Sequence, residues 1–376
     1  MGVDIQTTYF MSHHSIDPQS YDQQLQDKIE PLKQRFLNLG LAPEVVSGAS
    51  IASSQPKHYR LRAEFRIWHD GDDMHYAMFD PKEPKTPIYI EQFDVASETI
   101  NRLMRELKAA VQPQQSLRRR LFQVEFLSTL AGDSLIALMY HRQLNDEWEQ
   151  AAQDLSEKLN CPIIGRARKQ KIVIGRDYVN ETLTVDGQSY HYRQYEGSFT
   201  QPNGGVNQAM LSWARARLGD SQDQDLLELY CGNGNFTIPL AAEFRRIIAT
   251  EISKASIAAA THNLETNSVS NVEFARLSSE DMTSALKRER PFRRLAHIDL
   301  DSYDLQTALV DPPRAGLDPA SRELIAGFPR VLYISCNPDT LIRDIQELSD
   351  HKVTHLAFFD QFPYTAHMEC GVLLEK

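Results

Sequence analysis

The stretch V-L-Y-I-S-C-N-P-D at residues 331–339 decides the fold, because it predicts a buried strand that turns sharply into a helix. Its first residues favour a strand, Asn337 and Pro338 end it, and the residues from Asp339 to Leu348 have helical spacing. Cys336 is therefore predicted close to a helix N-terminus, where the partial positive charge favours a nucleophilic thiolate. A buried structural cysteine is the alternative at such a position.

The composition predicts an ordinary globular protein of two or three domains, with 376 residues, 41% hydrophobic and 24% charged. No apolar run approaches the roughly 18 residues of a membrane span, and the N-terminus lacks a signal-peptide pattern. The four cysteines are not spaced like a metal or cluster site. We therefore expect a cytoplasmic protein with no membrane partner.

The net charge of −11 argues only weakly against a nucleic-acid partner, because basic residues are clustered. The clusters lie at 57–66, 118–120 and 166–176. Solvated surface charge is the alternative explanation for each cluster by itself.

Two domains are predicted. Residues 1–195 begin with a loose arm at 1–16 and continue with alternating strands and helices of an α+β domain, ending in linker strands. Residues 196–376 alternate helix and strand, which predicts a mainly parallel sheet with helices on both faces. Its strands are predicted at 225–229, 247–251, 272–277, 306–310, 331–335, 353–359 and 370–374. Ligands of such sheets bind beyond the carboxyl ends of the strands.

A glycine loop follows the first of these strands, in L-Y-C-G-N-G-N-F at residues 229–236. Gly232 and Gly234 permit a tight turn and close approach of the backbone to a ligand. The next strand ends in Glu251, which can accept hydrogen bonds from ribose hydroxyls. Because the loop has neither a G-x-G-x-x-G nor a P-loop pattern, a nucleoside without a pyrophosphate is favoured. S-Adenosylmethionine meets this description.

Further reactive groups are predicted at the same edge. D-P-P-R at 311–314 ends the fourth strand, Cys336 ends the fifth, and Glu369 precedes the seventh. In a methyltransferase sheet the seventh strand runs antiparallel beside the fifth, which brings Glu369 next to Cys336. This pair suits addition of a thiolate to C6 of a pyrimidine, methylation of C5, and removal of the C5 proton by a base. Arg314 stands where amine-directed methyltransferases carry an aromatic residue, which argues against an amine target.

The motifs together closely resemble those of the RNA uracil-5-methyltransferases, over nearly the whole chain and most closely in the branch that modifies tRNA. The matching stretches are L-Y-C-G-N-G-N-F, D-P-P-R-A-G-L, Y-I-S-C-N-P and H-M-E-C-G-V-L. The resemblance implies a Rossmann-like S-adenosylmethionine-dependent methyltransferase domain with a seven-stranded mixed sheet at 196–376. An α+β RNA-binding domain would precede it at 1–195.

The resemblance also implies roles for individual residues. Cys336 would be the nucleophile, and Glu369 the base that removes the C5 proton. Arg314 would contact the RNA. Contacts to S-adenosylmethionine would come from Gln201, Tyr230, Asn235, Glu251 and Asp311.

The implied substrate is the T-loop uridine at position 54 of tRNA, which would become 5-methyluridine (ribothymidine). T-loop-like sites in other RNAs, such as tmRNA, are further candidates. Ribosomal-RNA relatives usually hold an iron–sulfur cluster with four cysteines ahead of the catalytic domain. Here only Cys161 precedes Cys231, so neither a cluster nor another metal is expected.

A stacked T-loop uridine must be flipped out to reach Cys336. We expect the strand that carries Arg62 and Arg66 to contact the displaced RNA, with Tyr59, Phe65 and Trp68 as stacking platforms.

Two alternatives remain open from the sequence. A cytosine-5 RNA methyltransferase uses the same thiol addition. An RNA-binding or RNA-folding module, in which methylation is incidental, belongs to a different functional class.

Overall fold

The fold is described by a computed structural model for residues 16–80 and 82–376. Except for Ile16, the loose arm predicted at residues 1–16 lies outside the described residues. The helices are α1 Tyr21–Asn38, α2 Pro43–Ser47, α3 Glu98–Val111, α4 Gln115–Arg118, α5 Asp146–Leu159, α6 Gly204–Leu218, α7 Thr237–Leu240, α8 Lys254–Thr266, α9 Ser279–Leu286, α10 Pro319–Ala326 and α11 Pro338–Glu347. Short 3₁₀ turns lie at Pro18–Ser20, Ala241–Glu243, Arg293–Leu295 and Leu300–Ser302.

The strands follow the order expected from the alternating sequence patterns. They are β1 Ser50–Ala52, β2 Arg62–Asp70, β3 Asp73–Asp80, β4 Glu83–Tyr89, β5 Leu121–Ser128, β6 Ser134–Tyr140, β7 Ile163–Ala167, β8 Gln170–Ile174, β9 Tyr178–Val185, β10 Gln188–Tyr195, β11 Ser221–Leu229, β12 Phe244–Thr250, β13 Val272–Ala275, β14 Leu305–Val310, β15 Arg330–Ser335, β16 Lys352–Phe359 and β17 Glu369–Glu375.

Two compact units interleave along the chain. The first contains residues 16–21, 55–182 and 194–204, and the second contains residues 22–54, 183–193 and 205–376. The segments 22–54 and 183–193 therefore pack with the unit that holds the predicted catalytic residues. The predicted division into domains at 1–195 and 196–376 stays a prediction.

The second unit is built on an eight-stranded sheet in the order β1-β16-β17-β15-β14-β11-β12-β13. β11 to β15 pair in parallel, whereas β17 runs antiparallel between β15 and β16. All seven predicted strands are present, and β1 adds an eighth from the front of the chain. The apolar residues of β11, β12 and β15 are buried in a core with α6, as expected for a parallel sheet covered by helices.

The first unit contains a seven-stranded sheet in the order β4-β3-β2-β5-β6-β7-β8. Its neighbouring strands are antiparallel except for β6 and β7. β2 alternates between buried and exposed residues, as expected for a strand with one solvated face, whereas β6 is buried almost throughout. In β2 Phe65 is buried, while Arg66 and Trp68 point outward. The hypothesis that Tyr59 and Phe65 are stacking platforms is wrong, because both side chains are in the core.

β9 and β10 form a separate two-stranded hairpin. Its turn is at Asp186 and Gly187, both at positive φ, as the Asp-Gly sequence predicts. Among the described residues, none of the helices combines the length and the apolar character needed to cross a bilayer.

Candidate active site

Cys336 lies in the predicted turn, between β15 and α11. Asn337 caps the helix by accepting a hydrogen bond from the Asp339 backbone N–H at 3.1 Å. Pro338 follows in the first helical turn, where its missing N–H needs no partner. These residue types fix the thiol at the carboxyl edge of the sheet.

The charge environment of Cys336 differs from the prediction. Burial, followed by the negative charges of Glu369 and Asp311, raises the pKa of the thiol to about 12, and Arg314 only partly opposes this. A helix N-terminus supplies roughly half an elementary charge, which two carboxylates and the loss of solvation outweigh. The expected low thiol pKa is therefore wrong, and the thiol is protonated near neutral pH.

Glu369 reaches the same edge through strand topology. Ser335, the last residue of β15, pairs with Cys370 on β17, so Glu369 stands opposite the position that follows Ser335. Its side chain is only 3% exposed. Burial, followed by the negative charge of Asp311, raises the pKa of Glu369 to about 8. Near neutral pH this carboxyl group can both hold and accept a proton.

Asp311 follows β14, the next strand along the edge. Burial raises its pKa to about 7. The negative charge of Asp311 also disfavours the ionisation of Glu369. Two acids with raised pKa values therefore lie close enough to the thiol to affect it.

The loop that carries D-P-P-R is fixed by the helix that follows Cys336. The Arg314 carbonyl accepts a hydrogen bond from Asn337 Nδ2 at 3.1 Å, and the Leu317 N–H donates to Asp344 Oδ2 at 3.0 Å. Gly316 has a φ of +77°, and a Cβ there would meet the side chains of α11 at under 3 Å. The Arg314 side chain is left exposed, with its charge close enough to affect Cys336.

The glycine loop lies beyond β11, and Gly232 and Gly234 both have positive φ. A Cβ added at Gly232 would meet no atom within 4 Å, so the loop faces open space there. Glu251 braces the loop: its Oε2 accepts from the Gly232 N–H at 3.2 Å and its Oε1 from the Ser253 N–H at 2.7 Å. A carboxylate has further lone pairs, so these bonds leave capacity for ribose hydroxyls.

Tyr230 and Asn235 have side chains that are already engaged inside the unit. The Tyr230 hydroxyl bonds with Ser279 Oγ at 2.8 Å. The Asn235 amide forms a reciprocal pair with the Asn207 amide, with both bonds at 2.9 Å. Both residues border the loop, and their predicted contacts to S-adenosylmethionine stay predictions.

Gln201 and Arg62 belong to the first unit. The Arg62 guanidinium donates to the Ser198 carbonyl at 2.7 Å and lies 3.4 Å from Glu125. This arginine therefore holds the segment after β10, and its contact with RNA stays a prediction. The role of Gln201 as a cofactor contact also stays a prediction.

Comparison with known proteins gives the family. The model of the tRNA (Uracil-5-)-methyltransferase family matches residues 20–376. The chain belongs to this family. A tRNA/tmRNA (uracil-C(5))-methyltransferase of Ectopseudomonas mendocina is 56% identical over 367 residues, which cover 97% of this chain and 100% of that protein. One from Aromatoleum aromaticum is 52% identical, covering 96% of this chain and 97% of its own.

A solved structure supports the fold expected for this tRNA (uracil-5-)-methyltransferase family. The tRNA (uracil-54, C5)-methyltransferase of Pyrococcus abyssi, in complex with S-adenosyl-L-homocysteine, superposes with a TM-score of 0.70. The match covers 94% of this chain and 83% of that one, at 20% sequence identity. The predicted S-adenosylmethionine-dependent methyltransferase fold is thereby confirmed.

Sequence reasoning missed three residues at this edge. Ile252 follows Glu251 and is 69% exposed, which is unusual for a large apolar side chain beside a ligand loop. Glu228 is buried one strand position before the loop, and Asp344 is buried beneath the D-P-P-R segment. For Glu228 and Asp344 the sequence signal was an acidic residue inside an otherwise apolar strand or helix face, and Ile252 gave no such signal.

The residues present fit a nucleoside cofactor of this kind. The open backbone at Gly232, the braced carboxylate of Glu251 and the exposed Ile252 offer close approach, hydroxyl acceptors and an apolar contact. Across residues 16–80 and 82–376, no group of three or more His, Cys, Asp or Glu side chains is arranged to hold a metal ion.

Proposed function

We propose that the protein methylates C5 of the T-loop uridine at position 54 of tRNA with S-adenosylmethionine as the methyl donor, giving 5-methyluridine. T-loop-like sites in other RNAs, including tmRNA, are further substrates in this proposal. The observation that carries it is the meeting of Cys336 and Glu369 at one sheet edge, through the register of β15 and β17. The family match and the names of the relatives from Ectopseudomonas and Aromatoleum support the substrate class.

Cys336 and Glu369 divide the chemistry between them. The Cys336 thiol gives up its proton to solvent as its sulfur adds to C6 of the uracil, and the electron pair of the C5–C6 double bond moves toward C5. When bound, S-adenosylmethionine supplies the electrophilic methyl group that C5 accepts. Glu369 then takes the C5 proton, the C5–C6 double bond re-forms, and the sulfur leaves C6 as the thiolate.

The raised acid pKa values prepare the site for both halves of this cycle. Protonation of Asp311 or Glu369 removes negative charge that acts on the sulfur as it becomes an anion. Later, a Glu369 carboxylate with a pKa near 8 is a stronger base toward the C5 proton than an ordinary carboxylate is. The pair therefore serves the attack when protonated, releases its proton to solvent after the attack, and serves the elimination once Glu369 is ionised.

The cofactor contacts that we propose are Glu251 for the ribose hydroxyls, Ile252 for the base, and the backbone at Gly232. Tyr230, Asn235, Asp311 and Gln201 complete the proposed set. Glu251, Ile252 and Gly232 are proposed because they lie at the edge of the glycine loop. The other four residues are proposed from the resemblance.

The proposed tRNA surface lies in the first unit, which offers exposed cations. Of the residues that the structure describes there, Arg66, Arg119, Arg168 and Lys169 are exposed and make no ion pair. Other members of the basic clusters are paired internally, as with Arg166 on Glu196 and Arg176 on Asp133. We propose that the exposed set contacts phosphates of the T-arm, with Trp68, 38% exposed, as a stacking platform.

The RNA surface is tested by tRNA affinity at several salt concentrations. Arg66→Ala should weaken binding and reduce the salt slope by about 1. Arg102→Ala is the matched control, because that arginine is paired with Glu106 on an exposed helix face. Unchanged affinity of Arg66→Ala would remove β2 from the proposed surface. Arg62→Ala should perturb the segment that Arg62 holds, so it is the less direct probe.

The reaction is tested by incubating the purified protein with unmodified tRNA transcript and labelled S-adenosylmethionine, and mapping the product nucleotide. 5-Methyluridine at position 54 supports the proposal. Label in cytidine would instead indicate the cytosine-5 alternative. Accelerated tRNA folding without any label would indicate the RNA-folding module. The cytoplasmic location expected from the sequence stays a prediction.

A further inference from the structure

Helix α1 belongs to the unit that holds Cys336 and Glu369, and its Lys28 side chain is buried within that unit. The Lys28 ammonium donates to the carboxylate of Asp360, to the Phe362 carbonyl at 3.1 Å and to the His367 carbonyl at 2.9 Å. An ammonium has three N–H donors, so all of them are used. The side chains of Lys28 and Asp360 are only 11% and 1% exposed.

The three acceptors belong to one segment, residues 360–368, which connects β16 to β17. Asp360 is its first residue, and His367 lies two residues before Glu369. Within the segment, Thr365 Oγ1 donates to the Phe362 carbonyl at 2.8 Å and accepts from the His367 N–H at 3.1 Å. Lys28 therefore holds both the beginning and the end of segment 360–368 through bonds to a single ammonium group.

Burying the charged ammonium of Lys28 costs free energy of solvation, so this contact is explained best by a role in fixing the path of segment 360–368. Burial lowers the pKa of Lys28, and the Asp360 charge only partly compensates. A buried ion pair is seldom more stabilising than a well-packed apolar pair of similar volume. Its two additional bonds to carbonyls define where the chain must pass before Glu369.

We propose that Lys28 is a positioning residue, which acts by holding segment 360–368 so that the Glu369 carboxyl group meets the C5 proton of the substrate. This inference rests on the proposed function. Lys28 does not contact the reacting atoms in this proposal, so its removal should slow the elimination step and leave the attack by Cys336 nearly unchanged.

The test is a single-turnover experiment with full-length Lys28→Met and tRNA, in which covalent adduct formation and release of methylated tRNA are timed separately on denaturing gels. Release should slow by about 10- to 100-fold, as a displaced catalytic group predicts, and the methylated adduct should accumulate. Adduct formation should stay within about threefold of the unmodified protein. An equal slowing of both steps, or an unchanged release rate, would overturn the proposal.

Arg35→Met is the matched control on the same helix. Arg35 lies two turns further along α1 and pairs with Asp339 at 2.5 Å, but both side chains are exposed, at 41% and 75%. A surface pair of this kind contributes little, so both steps should be unchanged. Slower release in Arg35→Met as well would assign the effect to the helix as a whole and contradict a specific role for Lys28.

A second readout distinguishes positioning from general loss of structure. In a Glu369→Gln background, Lys28→Met should cause no further slowing of release, because the group that it positions is already absent. If Lys28→Met folds poorly, the variant Lys28→Met with Asp360→Asn removes both buried charges and should show the same adduct. If Glu369→Gln accumulates the adduct but both Lys28 variants release product at the normal rate, the role of Lys28 is refuted and the proposed function is not. No adduct in any variant would refute the proposed function.

Discussion

Two positions of β11, three residues apart, carry buried acids of opposite character. Asp225, in the middle of the strand where its continuous pairing with β12 begins, is 0% exposed and receives two hydrogen bonds from Arg245, at 3.0 and 2.5 Å. Burial acts to raise the pKa of Asp225, but the Arg245 bonds and the Asp304 N–H outweigh it, and the pKa is lowered. Glu228, three residues later, accepts a bond from the Thr237 hydroxyl at 2.6 Å. Burial, followed by the negative charge of Asp311, raises its pKa to about 8.

The difference shows that burial alone does not decide whether an acidic side chain stabilises the fold or exchanges protons. At the amino end of the sheet, arginines neutralise Asp225, and the carboxylate stabilises the fold. At the carboxyl end, the charge of the half-buried Asp311 disfavours the ionisation of two buried acids, Glu228 and Glu369. Acids held in this way near neutral pH are typical of sites that exchange protons.

The largest effect that we expect is at the thiol beside these acids. Cys336→Ala should reduce methyl transfer to tRNA by about 10⁴-fold or more, because no other group can form the bond to C6. The measurement is incorporation of labelled methyl groups into unmodified tRNA. Cys161→Ala, at a buried cysteine in the first unit, should stay active. Substantial activity in Cys336→Ala would show that the acids serve another nucleophile.

Glu369→Gln should slow turnover by about 10²- to 10⁴-fold, since the amide cannot take the C5 proton. Attack and methyl transfer should continue, so a protein–RNA adduct that resists denaturation should accumulate. The contrast with Asp225→Asn, which should form no persistent adduct, separates the two ends of the sheet. Normal product release by Glu369→Gln would rule it out as the base.

A substitution of Asp225, at the amino end of the sheet, should change the stability of the fold and leave catalysis unchanged. Asp225→Asn should lower the free energy of unfolding by about 1–3 kcal/mol, a value moderated because Arg245 is 45% exposed. Activity per folded molecule should stay the same. Thermal and urea unfolding measure the loss of stability. The control variant is Glu228→Gln, which should not be destabilising at pH 8.

The last effect is a dependence of the free energy of unfolding on pH, which each group changes by a small amount per step in pH. Raised pKa values at Glu228, Asp311 and Glu369 mean that the folded protein holds protons that the unfolded chain releases above its ordinary acid pKa values. Stability should therefore be highest near pH 5 and fall as the pH rises toward 8, by up to about 1.4 kcal/mol per pH unit for each group.

Glu228→Gln should flatten part of this slope, while product release should become faster over the same range as Glu369 ionises. Asp225, with its lowered pKa, contributes in the opposite direction, and its stabilisation should be lost only as the medium becomes acidic. A stability that rises from pH 5 to 8 would contradict the assignment of raised pKa values to the carboxyl end.

Much of the fold and of the site follows from the sequence. The turn at Cys336 was predictable because strand, stop and cap residues are consecutive. The approach of Glu369 followed from the topology of the methyltransferase sheet. The thiol pKa was not predictable, because it depends on Glu369 and Asp311, which lie on other strands. β1 is too short to show any alternation, and Lys28 bonds to a segment more than 300 residues away in sequence.

The placement of β17 has a consequence for how the protein matures during synthesis. β17 is made after β15 and β16 but lies between them, so these two strands cannot be joined in the sheet until β17 has been synthesised. Helix α1 and β1 wait for partners made about 300 residues later, which are the segment before β17 and β16. A nascent chain thus carries Cys336 before it carries Glu369, and the two meet only once β17 has entered the sheet.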